Sequence, residues 1–177
     1  FTTWFTGTTA ALADSIGPGR LVDSSRLYVV AVDALGDGVS SSPSNSASQP
    51  RKTFPVFTIR DLVETQHRLL EETLGLHHVK AVVGMSMGGM QAFQWAVSHP
   101  EFVDRIVATS STARTWPHGI VRLEGQISAI TADGDFAGGD YKTEPRRGLS
   151  AFGMVWAGWL YSQEWWRDEL WKVNAPD

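Results

Sequence analysis

The feature that most constrains this fold is a serine between glycines, set between an apolar run and a helical pattern. Residues 79–83 read Val-Lys-Ala-Val-Val, a short β-prone run, and residues 84–88 read Gly-Met-Ser-Met-Gly. Helical spacing follows over residues 90–98, and Pro100 closes it. A strand, a tight turn and a helix in this order predict that the Ser86 hydroxyl projects above the end of a sheet, where it can act as a nucleophile.

Apolar runs alternate with helical patterns along most of the chain. The runs that predict strands are residues 27–32, 79–83 and 105–109. Thr58 and Asp61 resemble a capping box that begins a helix, which Gly75 ends, and Pro117 begins a further helix. This order predicts an α/β fold with a mostly parallel sheet flanked by helices.

The composition of the 177 residues is that of a globular protein, with 42% hydrophobic side chains. A net charge of −4, from 15 Lys and Arg against 19 Asp and Glu, provides no basic surface for nucleic acid or for an anionic membrane. The longest apolar stretch, residues 153–161, is too short to span a bilayer. The chain contains no cysteine, which excludes disulfides and a cysteine nucleophile within it. We therefore expect a cytoplasmic protein that acts on small molecules.

The last third of the chain differs from the rest. Residues 133–148 are rich in Gly and Asp, and residues 149–171 hold five of the eight tryptophans. The Trp-rich segment predicts one or two helices, which form a lid, a homodimer interface or simple core packing. We accordingly divide the chain into a partial sheet-and-helix core, residues 1–132, and a helical lid segment, residues 133–177.

The acidic loop at the start of that segment partly matches a calcium-binding loop. Asp133, Asp135, Gly138 and Glu144 occupy positions 1, 3, 6 and 12 of the template. Position 5 is alanine, position 8 is aspartate where an apolar residue belongs, and a proline follows directly. A solvated turn between helices explains the segment better, and we expect no metal site.

Residues 86–92 read Ser-Met-Gly-Gly-Met-Gln-Ala. They resemble, almost residue for residue, the turn and helix that carry the nucleophile of the homoserine O-acetyltransferase family of α/β-hydrolases, and the resemblance extends over about residues 1–119. Residues 33–40, Asp-Ala-Leu-Gly-Asp-Gly-Val-Ser, are similar to a glycine loop that is frequent after the fourth strand of α/β-hydrolases. The remaining matches are Trp4-Phe5-Thr6-Gly7, Thr58-Ile59-Arg60-Asp61, Gln66-His67-Arg68-Leu69-Leu70, Trp95-Ala96 and Thr112-Ala113-Arg114.

The resemblance implies an α/β-hydrolase fold with the start of a helical lid, and a ping-pong acyl transfer without a bound cofactor. Ser86 would attack an acyl donor, typically acetyl-CoA, and an alcohol would then take the acyl group from the acyl-enzyme. The backbone amides of Phe5 and Met87 would form the oxyanion hole. Arg114 is a candidate to hold a carboxylate of the acceptor, and a plain surface arginine is the alternative.

Two differences from the family leave the acceptor open. Met85 stands where the acetyltransferases usually have glycine before the nucleophile. Residues 38–44 differ from the loop of glycine and threonine that is usual in homoserine enzymes. If water takes the acyl group instead of an alcohol, the enzyme is a carboxylesterase on the same fold.

The five histidines leave the general base for Ser86 unassigned. In this fold the acid and the histidine follow the nucleophile and lie near the C-terminus. Surface or capping roles are expected for four of them, which are His67, His77, His78 and His99. His118, at a helix start, is the remaining candidate. The sequence thus predicts an incomplete portion of the fold, with acid and base on further chain of the same protein; a non-catalytic fragment is the third alternative.

Overall fold

The computed structural model describes residues 1–173, and contacts divide the chain into two compact units. The first unit is Phe1–Arg114, and the second begins at Thr115. The sequence pattern predicted a boundary near residue 132. The contacts instead group the helix that begins at Pro117 with the second unit, because this helix packs against the Trp-rich helix.

A parallel sheet forms the centre of the first unit. Strand β1, Val82–Met85, pairs in parallel with strand β2, Ile106–Thr109. Thr2 forms a parallel bridge to Gly84 on one side and to Val32 on the other. The sheet therefore runs in the order Val32 segment, Thr2 segment, β1 and β2, with every neighbouring pair parallel, as the sequence predicted.

The strand predicted at residues 27–32 is only partly formed. Its last residue, Val32, donates its N–H to the Phe1 carbonyl at 3.1 Å, and the Val30 carbonyl accepts the Phe1 amino group at 2.6 Å. The ladder amounts to one bridge, between Val32 and Thr2.

Three α-helices belong to the first unit. They are α1, Thr9–Leu12, α2, Ile59–Arg68, and α3, Met87–Ser98, with 3-10 turns at Ala13–Ser15 and Arg51–Thr53. The predicted capping box of α2 is confirmed: the Thr58 hydroxyl accepts the Asp61 N–H, and the Asp61 carboxylate accepts the Thr58 N–H at 2.7 Å. The predicted helix continues beyond α2 as a π-helical turn, Leu69–Thr73, in which the Leu74 N–H reaches back five residues to the Leu69 carbonyl.

The core of the first unit lies where α2 and α3 pack on the sheet. Its buried apolar side chains are Val63, Leu70, Val82, Ala92, Trp95 and Phe102. This packing fixes the position of α3, and the N-terminus of α3 carries the serine turn.

The second unit consists of helices and loops within the described residues. Its α-helices are α4, Pro117–Thr131, α5, Arg146–Leu160, and α6, Gln163–Arg167, with 3-10 turns at Gly134–Gly139 and Leu170–Val173. The Trp-rich segment thus forms two α-helices, one of the two outcomes predicted. The backbones of α4 and α5 cross closely, since a Cβ on Gly148 would lie 2.9 Å from Cα of Ile130. No helix within residues 1–173 combines the length and apolarity needed to cross a membrane.

Asp133 connects the two ends of the acidic loop between α4 and α5. Its carboxylate accepts the Gly148 N–H at 2.8 Å and the Asp135 N–H at 3.1 Å. The backbone hydrogen bond from Gly148, and then that from Asp135, hold the pKa of Asp133 below its usual value. Over residues 1–173, no group of three or more acidic or histidine side chains is arranged to hold a metal ion.

We expect Asp133→Ala to lower the melting temperature of the protein at neutral pH. The folded-state pKa of Asp133 is depressed below 3.8, so its stabilisation is present above that pH and is lost as the pH falls through the folded value. Thermal unfolding at pH 7 and at successively lower pH should therefore give curves for variant and wild type that converge in acid. Asp135→Ala, at an exposed carboxylate nearby, is the control and should leave the curve unchanged; a constant difference at every pH would contradict the assignment.

Candidate active site

Ser86 occupies a strained backbone position between β1 and α3. Its φ of 54° and ψ of −122° lie in a region that L-residues rarely adopt, at a cost of about 1–3 kcal/mol. The Ser86 N–H donates to the Thr109 carbonyl at 2.9 Å, and the Ser86 carbonyl accepts the Met90 N–H at 3.2 Å. These bonds attach the turn to the end of β2 and to the first turn of α3, and leave the side chain partly exposed.

Two glycines let three backbone segments meet at this turn. A Cβ on Gly84 would lie 2.2 Å from the carbonyl carbon and oxygen of Gly88 and 2.6 Å from Oγ1 of Thr2. A Cβ on Gly88 would lie 2.5 Å from the Thr2 carbonyl oxygen. These distances are far below van der Waals contact, so the glycines of the Gly-x-Ser-x-Gly pattern are a steric requirement of the turn.

The amide of Met87 is the first N–H of α3. Amides in the first turn of a helix have no acceptor within the helix, and the helix dipole adds partial positive charge at that end. The Met87 N–H and the partial positive charge at the N-terminus of α3 would therefore stabilise an anion that forms next to Ser86. The role of the Met87 amide as an oxyanion donor stays a prediction.

The segment that carries Phe5 runs directly beside the serine turn. Thr2 donates its N–H to the Val83 carbonyl at 3.0 Å and its hydroxyl to the Gly88 carbonyl at 2.9 Å. A tight turn follows, in which the Gly7 N–H donates to the Trp4 carbonyl at 3.1 Å. Phe5 lies in this turn and is 52% exposed. The structure thus brings the segments of Phe5 and Met87 together at the carboxyl end of the sheet, where α/β folds bind ligands.

A chain of buried amide side chains lies behind these two segments. Gln91, on α3, is fully buried and donates from Nε2 to the Thr3 carbonyl at 3.1 Å and to the Met87 carbonyl at 3.4 Å. Its Oε1 accepts from Nε2 of Gln66 at 2.6 Å, and Oε1 of Gln66 accepts from Nε1 of Trp95 at 3.0 Å. Gln66 and Gln91 both lie in motifs quoted above, yet the sequence assigned no role to their amides.

The glycine loop after residue 32 holds the far end of the Phe5 segment. The Asp33 carboxylate accepts the Thr9 N–H at 2.6 Å and the Thr9 hydroxyl at 2.8 Å, at the start of α1. Gly36 and Gly38 both have positive φ, of 84° and 90°, which only glycine adopts without strain. Asp33 therefore fixes α1, and with it the turn that contains Phe5, to the edge of the sheet.

Two residues of the Ser-rich loop have a structural role that its composition did not reveal. Ser42 is fully buried and accepts the Gly38 N–H at 2.7 Å, and Asn45 accepts the Ser42 N–H at 2.8 Å and donates to the Ser40 carbonyl at 2.9 Å. The loop is thus ordered by its own side chains. No periodic signal exists for such contacts, which explains why sequence patterns missed them.

Arg114 lies at the end of the first unit, in a turn that follows β2. The Arg114 N–H donates to the Thr112 hydroxyl at 3.2 Å, and that hydroxyl donates to the Arg114 carbonyl at 2.7 Å. The arginine itself is exposed. Its role in holding an acceptor carboxylate stays a prediction.

The histidines of the first unit lie away from Ser86. His67 and His99 stack with ring centroids 3.9 Å apart, and Nε2 of His99 lies 3.2 Å from a Glu64 carboxylate oxygen. His99 follows the last residue of α3, and a helix of 12 residues separates its two ends by about 18 Å. His78 pairs with Asp104 at 3.0 Å. The Ser86 side chain makes no capping hydrogen bond to the first turn of α3.

An apolar groove of about 330 Å³ lies elsewhere in the first unit. Tyr28, Val30, Val79, Val82 and Phe1 are among its lining residues, and Ser86 is not. Its walls come from the portions of the sheet segments that precede their carboxyl ends. Because parallel α/β sheets bind their ligands outside the carboxyl ends of strands, we do not assign the groove to the chemistry of Ser86.

Comparison with protein families identifies the class to which the chain belongs. The family model described as alpha/beta hydrolase fold matches residues 10–137, more than half of the chain. The chain therefore belongs to the alpha/beta hydrolase fold family, and the predicted fold is confirmed.

Its relatives include both transferases and esterases. A homoserine O-acetyltransferase from Methanocorpusculum labreanum is 43% identical over 148 residues, which cover 79% of this chain and 30% of the relative. An ethyl acetate hydrolase from Pseudomonas veronii is 38% identical over 169 residues, which cover 93% of this chain and 48% of the relative. The crystal structure of an acetylester hydrolase from Corynebacterium glutamicum matches with a TM-score of 0.91 at 32% identity, over 99% of this chain and 52% of that one.

The predicted similarity to homoserine O-acetyltransferases is thus confirmed, and the chain is also similar to esterases. The chain spans about half, or less, of the length of these relatives.

Proposed function

We propose that Ser86 is the nucleophile of a two-step acyl transfer carried out by the full-length protein. The observation that carries this proposal is the strained backbone of Ser86 at the junction of β1 and α3. A turn with a purely structural role could use glycine there without strain, so a serine held in this conformation supports a chemical role for the hydroxyl.

The first step forms the acyl-enzyme. Ser86 Oγ bonds to the carbonyl carbon of an ester, and the carbonyl oxygen becomes an oxyanion that the amides of Met87 and Phe5 stabilise. The tetrahedral species collapses when the bond to the alcohol breaks. The proton of Ser86 passes through a general base to the departing alcohol.

The second step releases the acyl group to water. Oxygen of a water molecule bonds to the acyl carbon while the general base takes a proton from that water. The bond to Ser86 Oγ then breaks, the carboxylic acid leaves and the serine hydroxyl recovers its proton. An alcohol in place of water would give a new ester and make the protein a transferase.

The general base and its acidic partner are proposed to lie on chain outside residues 1–177. His67, on α2, stacks on His99, which follows the last residue of α3, and Nε2 of His78 lies 3.0 Å from the Asp104 carboxylate. The relatives are about twice as long as this chain or longer. In this fold the acid and the histidine follow the nucleophile by a long interval, which the greater length of the relatives accommodates.

Water is the acceptor that the observations favour, which makes the protein a carboxylesterase of short acyl esters. Of the two sequence relatives, the ethyl acetate hydrolase match covers 93% of this chain and the homoserine O-acetyltransferase match covers 79%. Met85 precedes the proposed nucleophile and is 42% exposed, where the resemblance to the acetyltransferases leads us to expect glycine. Both observations support hydrolysis as the proposed reaction.

Acetyl transfer from acetyl-CoA to homoserine is the second candidate. It is supported by the 43% identity to a homoserine O-acetyltransferase, which exceeds the identity to the two esterases. Exposed Arg114 would then bind the carboxylate of homoserine.

Assays with water and with homoserine as the acyl acceptor test whether the protein is an esterase or a transferase. We expect the full-length protein to hydrolyse ethyl acetate and p-nitrophenyl acetate, and to form no O-acetylhomoserine from acetyl-CoA and homoserine. Hydrolysis is followed by titration of the released acid and transfer by chromatography of the amino-acid products. Arg114→Ala should hydrolyse p-nitrophenyl acetate at the wild-type rate. O-acetylhomoserine formed faster than acetate, with a raised KM for homoserine in Arg114→Ala, would reject the esterase and support the transferase.

A further inference from the structure

A single buried side chain contacts both halves of the proposed oxyanion hole. Gln91 Nε2 donates to the Thr3 carbonyl at 3.1 Å, and Thr3 precedes Phe5 by two residues. The same nitrogen lies 3.4 Å from the carbonyl oxygen of Met87, the residue that contributes the other amide. Gln91 is fully buried, so it reaches neither solvent nor substrate directly.

The orientation of this amide is fixed by the two ends of its hydrogen-bond chain. The indole N–H of Trp95 can only donate, which turns the oxygen of Gln66 toward it. The nitrogen of Gln66 then faces the oxygen of Gln91 at 2.6 Å, and the nitrogen of Gln91 faces Thr3. At the other end, the Thr3 carbonyl can only accept. Each member therefore has one orientation that satisfies the whole chain.

Packing alone does not require polar side chains at this place. Gln66 lies on α2 and Gln91 on α3, two helices that pack together, and both side chains are buried. An apolar side chain of the same size would fill the space without the cost of burying two amides, and that cost is offset only because every amide is hydrogen-bonded. What the amide of Gln91 adds is a directional bond to the backbone of Thr3.

We propose that Gln91 is a positioning residue, which sets the separation between the amides of Phe5 and Met87 by holding the Thr3 carbonyl to the first turn of α3. This inference rests on the proposed function of Ser86. Oxyanion stabilisation depends on donors held at hydrogen-bond distance from a developing charge, and a small displacement of one donor weakens it. Loss of the Gln91 bond would leave the Thr3 carbonyl free to shift, while the bonds of Thr2 to Val83 and Gly88 and the bonds of Thr9 to Asp33 still hold the segment on either side.

Two matched variants distinguish an effect on the position of the oxyanion donors from an effect on the stability of the protein. Gln91→Met keeps the length of the side chain and removes the bond to Thr3, whereas Gln66→Met removes bonds in the same chain and leaves Gln91 facing Thr3. Both should lower the melting temperature of the full-length protein. Only Gln91→Met should lower kcat for p-nitrophenyl acetate, by about tenfold or more, because removal of one oxyanion donor costs about 100- to 1000-fold and this change displaces one. KM should stay within about twofold of wild type, since ground-state binding does not use the oxyanion donors.

The rate of labelling by a fluorophosphonate distinguishes this inference from the proposed function. If wild type is not labelled, the assignment of Ser86 fails. If wild type is labelled and Gln91→Met reacts about tenfold more slowly while Gln66→Met reacts at close to the wild-type rate, the positioning role is supported. Equal rates in wild type and Gln91→Met, or equal losses in the two variants, would overturn it. Should Gln91→Met not fold, the double variant Gln66→Met/Gln91→Met removes both facing amides together and carries the same expectation.

Discussion

Replacement of Ser86 by alanine should abolish ester hydrolysis by the full-length protein, with kcat reduced by about 10⁴-fold or more. The reason is that the acyl-enzyme cannot form without the Ser86 hydroxyl. The low rate that remains in the variant would come from the oxyanion donors alone. Steady-state hydrolysis of p-nitrophenyl acetate measures the loss. Because Ser86 is partly exposed and lies outside the apolar core, the variant should fold as wild type does. Hydrolysis within tenfold of wild type in a folded Ser86→Ala protein would contradict the nucleophile assignment.

The substitution Ser86→Gly tests whether the backbone of Ser86 is strained. Both variants lack the hydroxyl, but alanine keeps a Cβ at φ 54° and ψ −122°, whereas glycine adopts this conformation freely. Ser86→Gly should therefore be inactive and more stable than Ser86→Ala by about 1 kcal/mol in chemical denaturation. An equal or lower stability of the glycine variant would mean that the turn is not strained, and would remove the observation on which the proposed function depends.

Gly84→Ala should have the largest effect on the fold. The added Cβ would overlap the backbone of Gly88 at 2.2 Å and the Thr2 hydroxyl at 2.6 Å. Backbone atoms cannot rotate away as a flexible side chain can, so β1, α3 and the Thr2 segment would have to separate. We expect a loss of about 3 kcal/mol or more in the free energy of unfolding, or no soluble protein.

Gly153→Ala is the matched control for that substitution. Gly153 lies within α5, where an added Cβ meets open space. The same chemical change should there stabilise the protein by about 0.5–1 kcal/mol, because alanine loses less backbone entropy in a helix than glycine does. Denaturant titration measures the loss of stability expected for Gly84→Ala and the gain expected for Gly153→Ala. A Gly84→Ala protein as stable as wild type would contradict the close approach at the serine turn.

The serine turn could be predicted from sequence because its signal is local. The strand, the two glycines, the serine and the following helix lie within twenty or so consecutive residues, and each position has a steric or electrostatic reason. The capping box of α2 was predictable for the same reason, since Thr58 and Asp61 are three residues apart. Motifs of this kind can be recognised in a sequence because all the residues that define them are close together in the chain.

The supporting contacts were not predictable, because they join distant residues. Gln66 and Gln91 are 25 residues apart, and Gln91 and Thr3 are 88 apart. A glutamine in an amphipathic helix is usually exposed, so nothing in the sequence indicated that these two are buried. The bond from Thr9, at the start of α1, to Asp33 likewise joins residues that are 24 positions apart. Only the fold brings such partners together.

Differences in element boundaries have similar causes. Residues 27–32 have the composition of a full strand, yet strand pairing depends on a partner that is distant in the sequence, and only Val32 forms a bridge, to Thr2. The apolar spacing of residues 58–74 fits an α-helix throughout, but the last turn is π-helical, a distinction that side-chain periodicity does not resolve. Whether the helices of the second unit cover the Ser86 site as a lid stays a prediction.

Peptide mapping of the full-length protein after reaction with a fluorophosphonate tests the central claim most directly. The chain has many serines, including the Ser-rich loop at residues 40–46, so the position of the adduct is decisive. We expect one adduct, on Ser86, formed in parallel with the loss of ester hydrolysis. An adduct on a different residue, or hydrolysis that continues after Ser86 is modified, would contradict the account.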